Sequence, residues 1–372
     1  MKKSIRVISL VLLTALLLVV AGCQPETTSA EPPALEPSTV EEEPAPTLAE
    51  PTTKPINVGV VFTVAGLGGS SFNDVIFEGV KRAEEELGIT YDYVEPKAIS
   101  DEQIVIEEMA ASGEYDLIIC IAFEMRDALQ AVASEYPDQK FAFIDSNVDL
   151  PNIANYAAKE EQGSFLVGAL AVLAEQERVS ELFNEQKVLG FVGGVDNPII
   201  RRFAAGFMAG ARYIDPDYEI LYDFVGNFND PATAKAIATT QFNQDADVVY
   251  HAAGASGLGV FQAAEELKFT AIGVNLNQNG IAPDYIIASM LKRVDIAAYH
   301  AIQSVVDGTF SGGIVTLTLA DGGVDYTTEG SNIILPESVL AELNAIEQAI
   351  IDGTLVIPDA IEAVDAFIEN VN

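Results

Sequence analysis

Few side chains in this chain have the types and spacing that covalent chemistry requires. His251 and His300 are the only histidines, and no Cys/His cluster shows metal-ligand spacing. No GxxxxGKS/T phosphate cradle, GxSxG nucleophile elbow or HExxH pair is present. Gly257-Leu258-Gly259 lacks the third glycine of a dinucleotide fingerprint. His251, beside Ala252–Gly254, stands at a strand end where a general base could sit, but a lone strand-end histidine is more often structural or a ligand contact. No catalytic residue, cofactor or metal is therefore expected. Cys120 lies in the apolar run Leu117–Ile121 and reads as a buried core thiol without a disulfide partner.

The residues point to holding rather than reacting. Ile56, Val58, Val60 and Val61 read as a buried parallel strand. The strand breaks at Ala65-Gly66-Leu67-Gly68-Gly69, and Ser70-Ser71-Phe72-Asn73-Asp74 opens a helix whose first amides need side-chain partners. A strand, a glycine turn and a helix start place backbone N–H groups and one aromatic ring at the carboxyl edge of a sheet. In open α/β folds ligands sit at that edge.

The elements that must position this edge alternate along the chain. Strands are expected at Tyr91–Val94, Leu117–Ile121 and Phe141–Ile144, with helices at Asp101–Ala111 and Met125–Ser134. Glu160–Glu177 is apolar on most of its surface and reads as a largely buried helix. A second βα series runs from Val188 to Val274. Two such series of about five strands predict an α/β chain of two lobes, each a parallel sheet with helices on both faces, facing each other across a cleft. Ile286–Ser289, a Lys292–Val306 helix and Ile314–Leu319 would cross between lobes. Closing helices are expected near Pro336–Ile351 and Ala360–Ile368. The boundaries are then 56–158 with a returning segment at about 285–310 for the first lobe. The second takes 159–284 with about 311–372.

Ahead of the lobes, Lys2, Lys3 and Arg6 precede an apolar core from Val7 to Val20, the pattern of a secretory signal over residues 1–22. The core is short for a membrane span, which takes roughly 20 apolar residues. Its ending, Val20-Ala21-Gly22-Cys23, resembles the bacterial lipoprotein box, which implies acylation of Cys23 and anchoring on the extracytoplasmic side of the cell membrane. Residues 23–55 are rich in Pro, Glu and Thr, and 8 of the 17 prolines fall there. Such a composition cannot bury enough apolar surface to offset its ordering entropy, so it reads as a disordered tether. The formal charge of −37 becomes more negative by three once the signal is removed. That disfavours nucleic acid, whose recognition needs basic footprints.

Short motifs in fixed order carry a resemblance. They are Ser71-Phe72-Asn73, Phe143-Ile144-Asp145-Ser146, Glu161 to Ala169 (EQGSFLVGA) and Gly190-Phe191-Val192-Gly193-Gly194. Arg202-Phe203 with Gly206-Phe207, Gly254-Ala255-Ser256-Gly257, Gly273-Val274 and Lys292-Arg293-Val294-Asp295 complete the set. From Ile56 to Asp359 the chain resembles the basic-membrane-protein lipoproteins, the purine-nucleoside-receptor-like substrate-binding proteins of ABC importers. The resemblance implies a type I periplasmic-binding-protein fold, an ABC permease as partner, and a purine-nucleoside-like ligand. It also implies roles: Phe72 and Phe203 clamping the base, Asn73 and Asp145 bonding its edges, Gly254 and Gly257 admitting the sugar, and Lys292 reaching ribose oxygens.

Two departures bear on the ligand. The family usually has Asp two residues before the Ser-Phe-Asn serine, where this chain has Gly69. It usually reads Gly-Val-Asp-x-Asp-Gln where this chain has Gly273-Val274-Asn275-Leu276-Asn277-Gln278. Carboxylates that accept from ribose hydroxyls are thus amides, which donate as well as accept but bond less strongly. The expected ligand class therefore spans a purine nucleoside and, as alternatives, a sugar, a free base or a flavin-like ring. An extracellular nucleoside-processing enzyme is the alternative from another class.

Overall fold

A computed structural model describes residues 54–69 and 72–371. The signal, Cys23 and most of the tether lie outside the described residues. β1 (Asn57–Val61) leads into α1 (Phe72–Leu87), β2 (Thr90–Val94) and α2 (Glu102–Ser112). Then follow β3 (Leu117–Ile121), α3 (Arg126–Glu135), β4 (Phe141–Ile144) and β5 (Ile153–Ala158). Helix α4 (Glu160–Gln176) opens the second series: β6 (Val188–Gly193), α5 (Pro198–Ile214), β7 (Glu219–Phe224), α6 (Pro231–Phe242), β8 (Val248–Ala252), α7 (Leu258–Leu267) and β9 (Thr270–Asn275). β10 (Ile286–Lys292), α8 (Val294–Val306), β11 (Gly313–Leu317), β12 (Val324–Thr327), α9 (Glu337–Ile351) and α10 (Val364–Val371) complete the chain.

The strands form two six-stranded sheets, ordered β11-β5-β4-β3-β1-β2 and β12-β10-β9-β8-β6-β7. All pairings are parallel except β10 with β12, which is antiparallel. β3 and β4 are buried at every residue, as strands covered on both faces must be. Because every pairing but that of β12 is parallel, the carboxyl ends of the other strands line up along one edge of each sheet.

Three expectations change. β5 and β12 were not among the predicted strands. β10 runs on to Lys292 and pairs with β9, so it belongs to the second sheet rather than to a segment returning to the first. Only the stretch after Arg293 returns: α8 lies against α1, and β11 pairs with β5. The chain then goes back to the second lobe through β12, and α9 and α10 lie against α4 and α5. The lobes are thus joined at Lys159, at Arg293 and over 318–323. These crossings are hydrogen-bonded to one another's neighbourhoods: Lys159 N donates to Leu317 O at 2.8 Å and Arg293 N to Gly323 O at 2.9 Å.

The motifs around Glu161–Ala169 and Arg202–Phe207 find a physical explanation in the α4–α5 crossing. A Cβ on Gly206 would overlap the Glu161 carbonyl, and one on Gly210 would overlap that of Phe165. Only glycine lets these backbones touch. The crossing sets Glu160 and Arg202 side by side, behind the cleft-lining Lys292 that Glu160 also holds.

Candidate functional site

The cleft between the two sheets encloses about 660 Å³ of empty space, part of it open to solvent. Seven of the eight predicted binding residues line it: Phe72, Asn73, Asp145, Phe203, Gly254, Asn275 and Lys292. They come from strand ends and helix starts, as a parallel sheet dictates. Asn73 lies in the first turn of α1, Asp145 just past β4, Asn275 at the end of β9 and Lys292 at the end of β10.

Backbone strain marks the same edge. Asp145, Asn275 and Ala122 are non-glycine residues with positive φ (76°, 69° and 70°), and all three line the cleft. Such conformations cost of order 1–3 kcal/mol and collect where a site needs particular directions. Asp and Asn tolerate them through local hydrogen bonding; Ala122 has no such help.

At the floor stands Lys292, only 1% exposed. It is therefore not a solvated charge at a helix start. Its ammonium forms an ion pair with Asp145 and another with Glu160 at 2.7 Å, and Arg202 Nε bonds Glu160 at 2.6 Å. Two cations meet two carboxylates, which is how a buried charge cluster avoids an uncompensated desolvation cost. Burial alone would lower the Lys292 pKa, but Asp145 and Glu160 outweigh it and hold the amine above its ordinary value. Burial also raises the Asp145 carboxyl, with Lys292 pulling it back. The ring centroids of Phe72 and Phe203 lie 5.7 and 5.4 Å from Lys292 Nζ, so a ring from each lobe flanks the ammonium.

Not every predicted residue does what its type suggests. Gly257 does not line the cleft: a Cβ there would run into the His251 ring, so its smallness admits that ring rather than a sugar. Asn73 reaches the cleft, but its amide donates to Gly66 O at 2.8 Å and its oxygen accepts from Thr63 Oγ1 at 3.2 Å. It shapes the β1–α1 turn. Asn277 bonds Glu329 O at 3.0 Å and is not part of the lining, whereas Asn275 is. His251 is fully buried, bonds Gln278 at 3.1 Å, and burial lowers its pKa to about 4, so it stays neutral and structural.

Other lining residues carried no motif. Phe228 and Phe123 add two rings, Asn197 caps α5 by accepting from Ile200 N at 2.9 Å, and Glu124 brings a further carboxylate. Glu160 adjoins a quoted motif. Its signal was a charge beginning a helix that is apolar all round, which makes sense only if a partner awaits it.

Residues 56–360 match the family model of the PnrA-like ABC transporter substrate-binding proteins. The chain belongs to that family. An uncharacterized lipoprotein of Pyrococcus horikoshii is 36% identical, over 73% of this chain and 69% of its own length. The ABC transporter nucleoside-binding protein BmpA of Lactococcus lactis is 28% identical, over 82% of this chain and 89% of its own. A solute-binding protein of an ABC transporter system from Aeropyrum pernix superposes with a TM-score of 0.76 at 32% identity, covering 85% of this chain and 97% of that one. The PnrA-like assignment agrees with two parallel-dominated sheets flanking a cleft. It makes the protein a substrate-binding component of an ABC transporter, in a family of solute binders rather than enzymes. Among the described residues no helix is long and apolar enough to cross a membrane.

Proposed function

We propose that this PnrA-like protein captures a purine nucleoside between its lobes and presents it to an ABC permease, while held to the membrane by lipid on Cys23. The observation that carries the ligand reading is the pair of rings, Phe72 and Phe203, brought from opposite lobes to 5.7 and 5.4 Å from one buried ammonium. A flat base is held by such rings at ~1–3 kcal/mol per stacked contact. Asn275 lines the cleft with no hydrogen bond to its side chain among the described residues, which supports a contact to a sugar hydroxyl in the role the family gives to Asp. The name of the Lactococcus relative supports the same ligand class. Hinge motion about the three crossings would close the lobes.

Phe72→Ala and Phe203→Ala should each weaken purine-nucleoside binding by roughly tenfold or more. Unchanged affinity in both variants sinks the stacking model. Incubation with inosine should return intact nucleoside; release of free base would replace the receptor reading with an enzymatic one.

A further inference from the structure

Among the described residues, Asp145, Glu160, Lys292 and Arg202 neutralise one another at the cleft floor. Glu124 has no such partner. It lies in the short turn after β3, lines the cleft, and is half-buried. Burial and the nearby Asp145 raise its pKa, while its own backbone N–H draws it back. Near it is Glu102, the first residue of α2, fully buried, with neither carboxyl oxygen bonded among the described residues. Burial, with Glu124 close by, brings the Glu102 pKa up to about 7.

A partly desolvated carboxylate needs donors. Lys292, the cation among the lining residues, is already engaged by Asp145 and Glu160, and a second acidic group, Glu102, stands near Glu124. Its remaining donors come from solvent in the open cleft, and from a ligand once one fills it. A carboxylate accepts two parallel N–H bonds side by side. Guanine offers that pair on one ring edge, a ring N–H beside an amino group. Hypoxanthine offers only the ring N–H, and adenine sets a ring acceptor beside its amino group. We infer that Glu124 determines specificity within this site, accepting the paired N–H donors of a guanine-like ring edge. The inference rests on the nucleoside reading above.

The test is titration of the full chain, wild type and Glu124→Gln, with guanosine and with inosine. Wild type should bind guanosine about tenfold more tightly than inosine, the effect of one further charge-assisted bond. Glu124→Gln should bring the two within about twofold, lowering the affinity for guanosine more than that for inosine, which gives this carboxylate one N–H rather than two. Glu124→Asp, which keeps the charge and shortens its reach, should lower the ratio as well. A guanosine-to-inosine ratio near one in wild type, or a ratio unchanged in both variants, overturns the inference and leaves the nucleoside reading standing. Wild type that binds neither nucleoside overturns both.

Discussion

The Lys292 ammonium at the end of β10 pairs with the Asp145 carboxylate just past β4, and so ties the second sheet to the first. The link sits in the cleft lining, next to the crossing at Arg293. Any group that competes for Lys292 therefore acts on the contact that joins the lobes.

Removing that cation should cost stability as well as binding. Lys292→Met leaves Asp145 and Glu160 buried with Arg202 as their one cation, and breaking a buried ion cluster this way costs about 3–5 kcal/mol. Asp145→Asn keeps the Lys292–Glu160 pair and should cost clearly less. Urea unfolding of the two variants checks the order; equal losses would show that Lys292 is not the centre of the cluster.

Ala122 holds a conformation (φ 70°, ψ 154°) that glycine adopts without strain. Ala122→Gly should therefore stabilise the fold by about 1 kcal/mol, against the usual penalty for introducing glycine. A thermal midpoint below that of wild type would show that the strain is absent.

Stability should also depend on pH through a second carboxyl cluster, remote from the mechanism. Tyr218 Oη donates to Glu175 Oε2 at 2.6 Å, and Asp247 accepts from Asn184 N at 2.5 Å. One oxygen of each carboxyl, Glu175 Oε1 and Asp247 Oδ1, is buried without a conventional donor among the described residues. Burial, with Asp247 beside it, pushes the Glu175 pKa up to about 9 from an ordinary 4.5. Between those values the unfolded chain binds fewer protons at this group than the folded one, so its contribution to stability falls as pH rises. Glu175→Gln cannot ionise. It should flatten the decline between about pH 5 and 9 and raise stability at the alkaline end. A variant whose pH profile parallels that of wild type would refute the raised Glu175 pKa.

The lobes were legible because buried parallel strands are written as short apolar runs, and the βα alternation from Ile56 to Val274 allows few other topologies. The site was legible where strand ends meet chemistry-bearing side chains, as at Asp145, Asn275 and Lys292. β5 (IANYAA) was missed because its one β-branched residue, Ile153, is followed by Ala, Asn and Ala residues that weaken the strand signal. The reach of β10 was missed because Lys292 looks like a solvated charge until Asp145 and Glu160 surround it. Gly257 failed for a similar reason: a glycine signals close approach but not of what, and here it is His251. Glu124 and Phe228 sit in irregular turns, where sequence sets no direction for a side chain.

The most direct measurement is calorimetric titration of the protein with adenosine, guanosine and inosine, with cytidine as control. Two rings lining one cleft, Phe72 and Phe203, predict saturable one-to-one binding of purine nucleosides, and weaker binding of cytidine by roughly tenfold or more. Binding of cytidine as tight as that of the purines, or no binding of any purine nucleoside, would contradict the account.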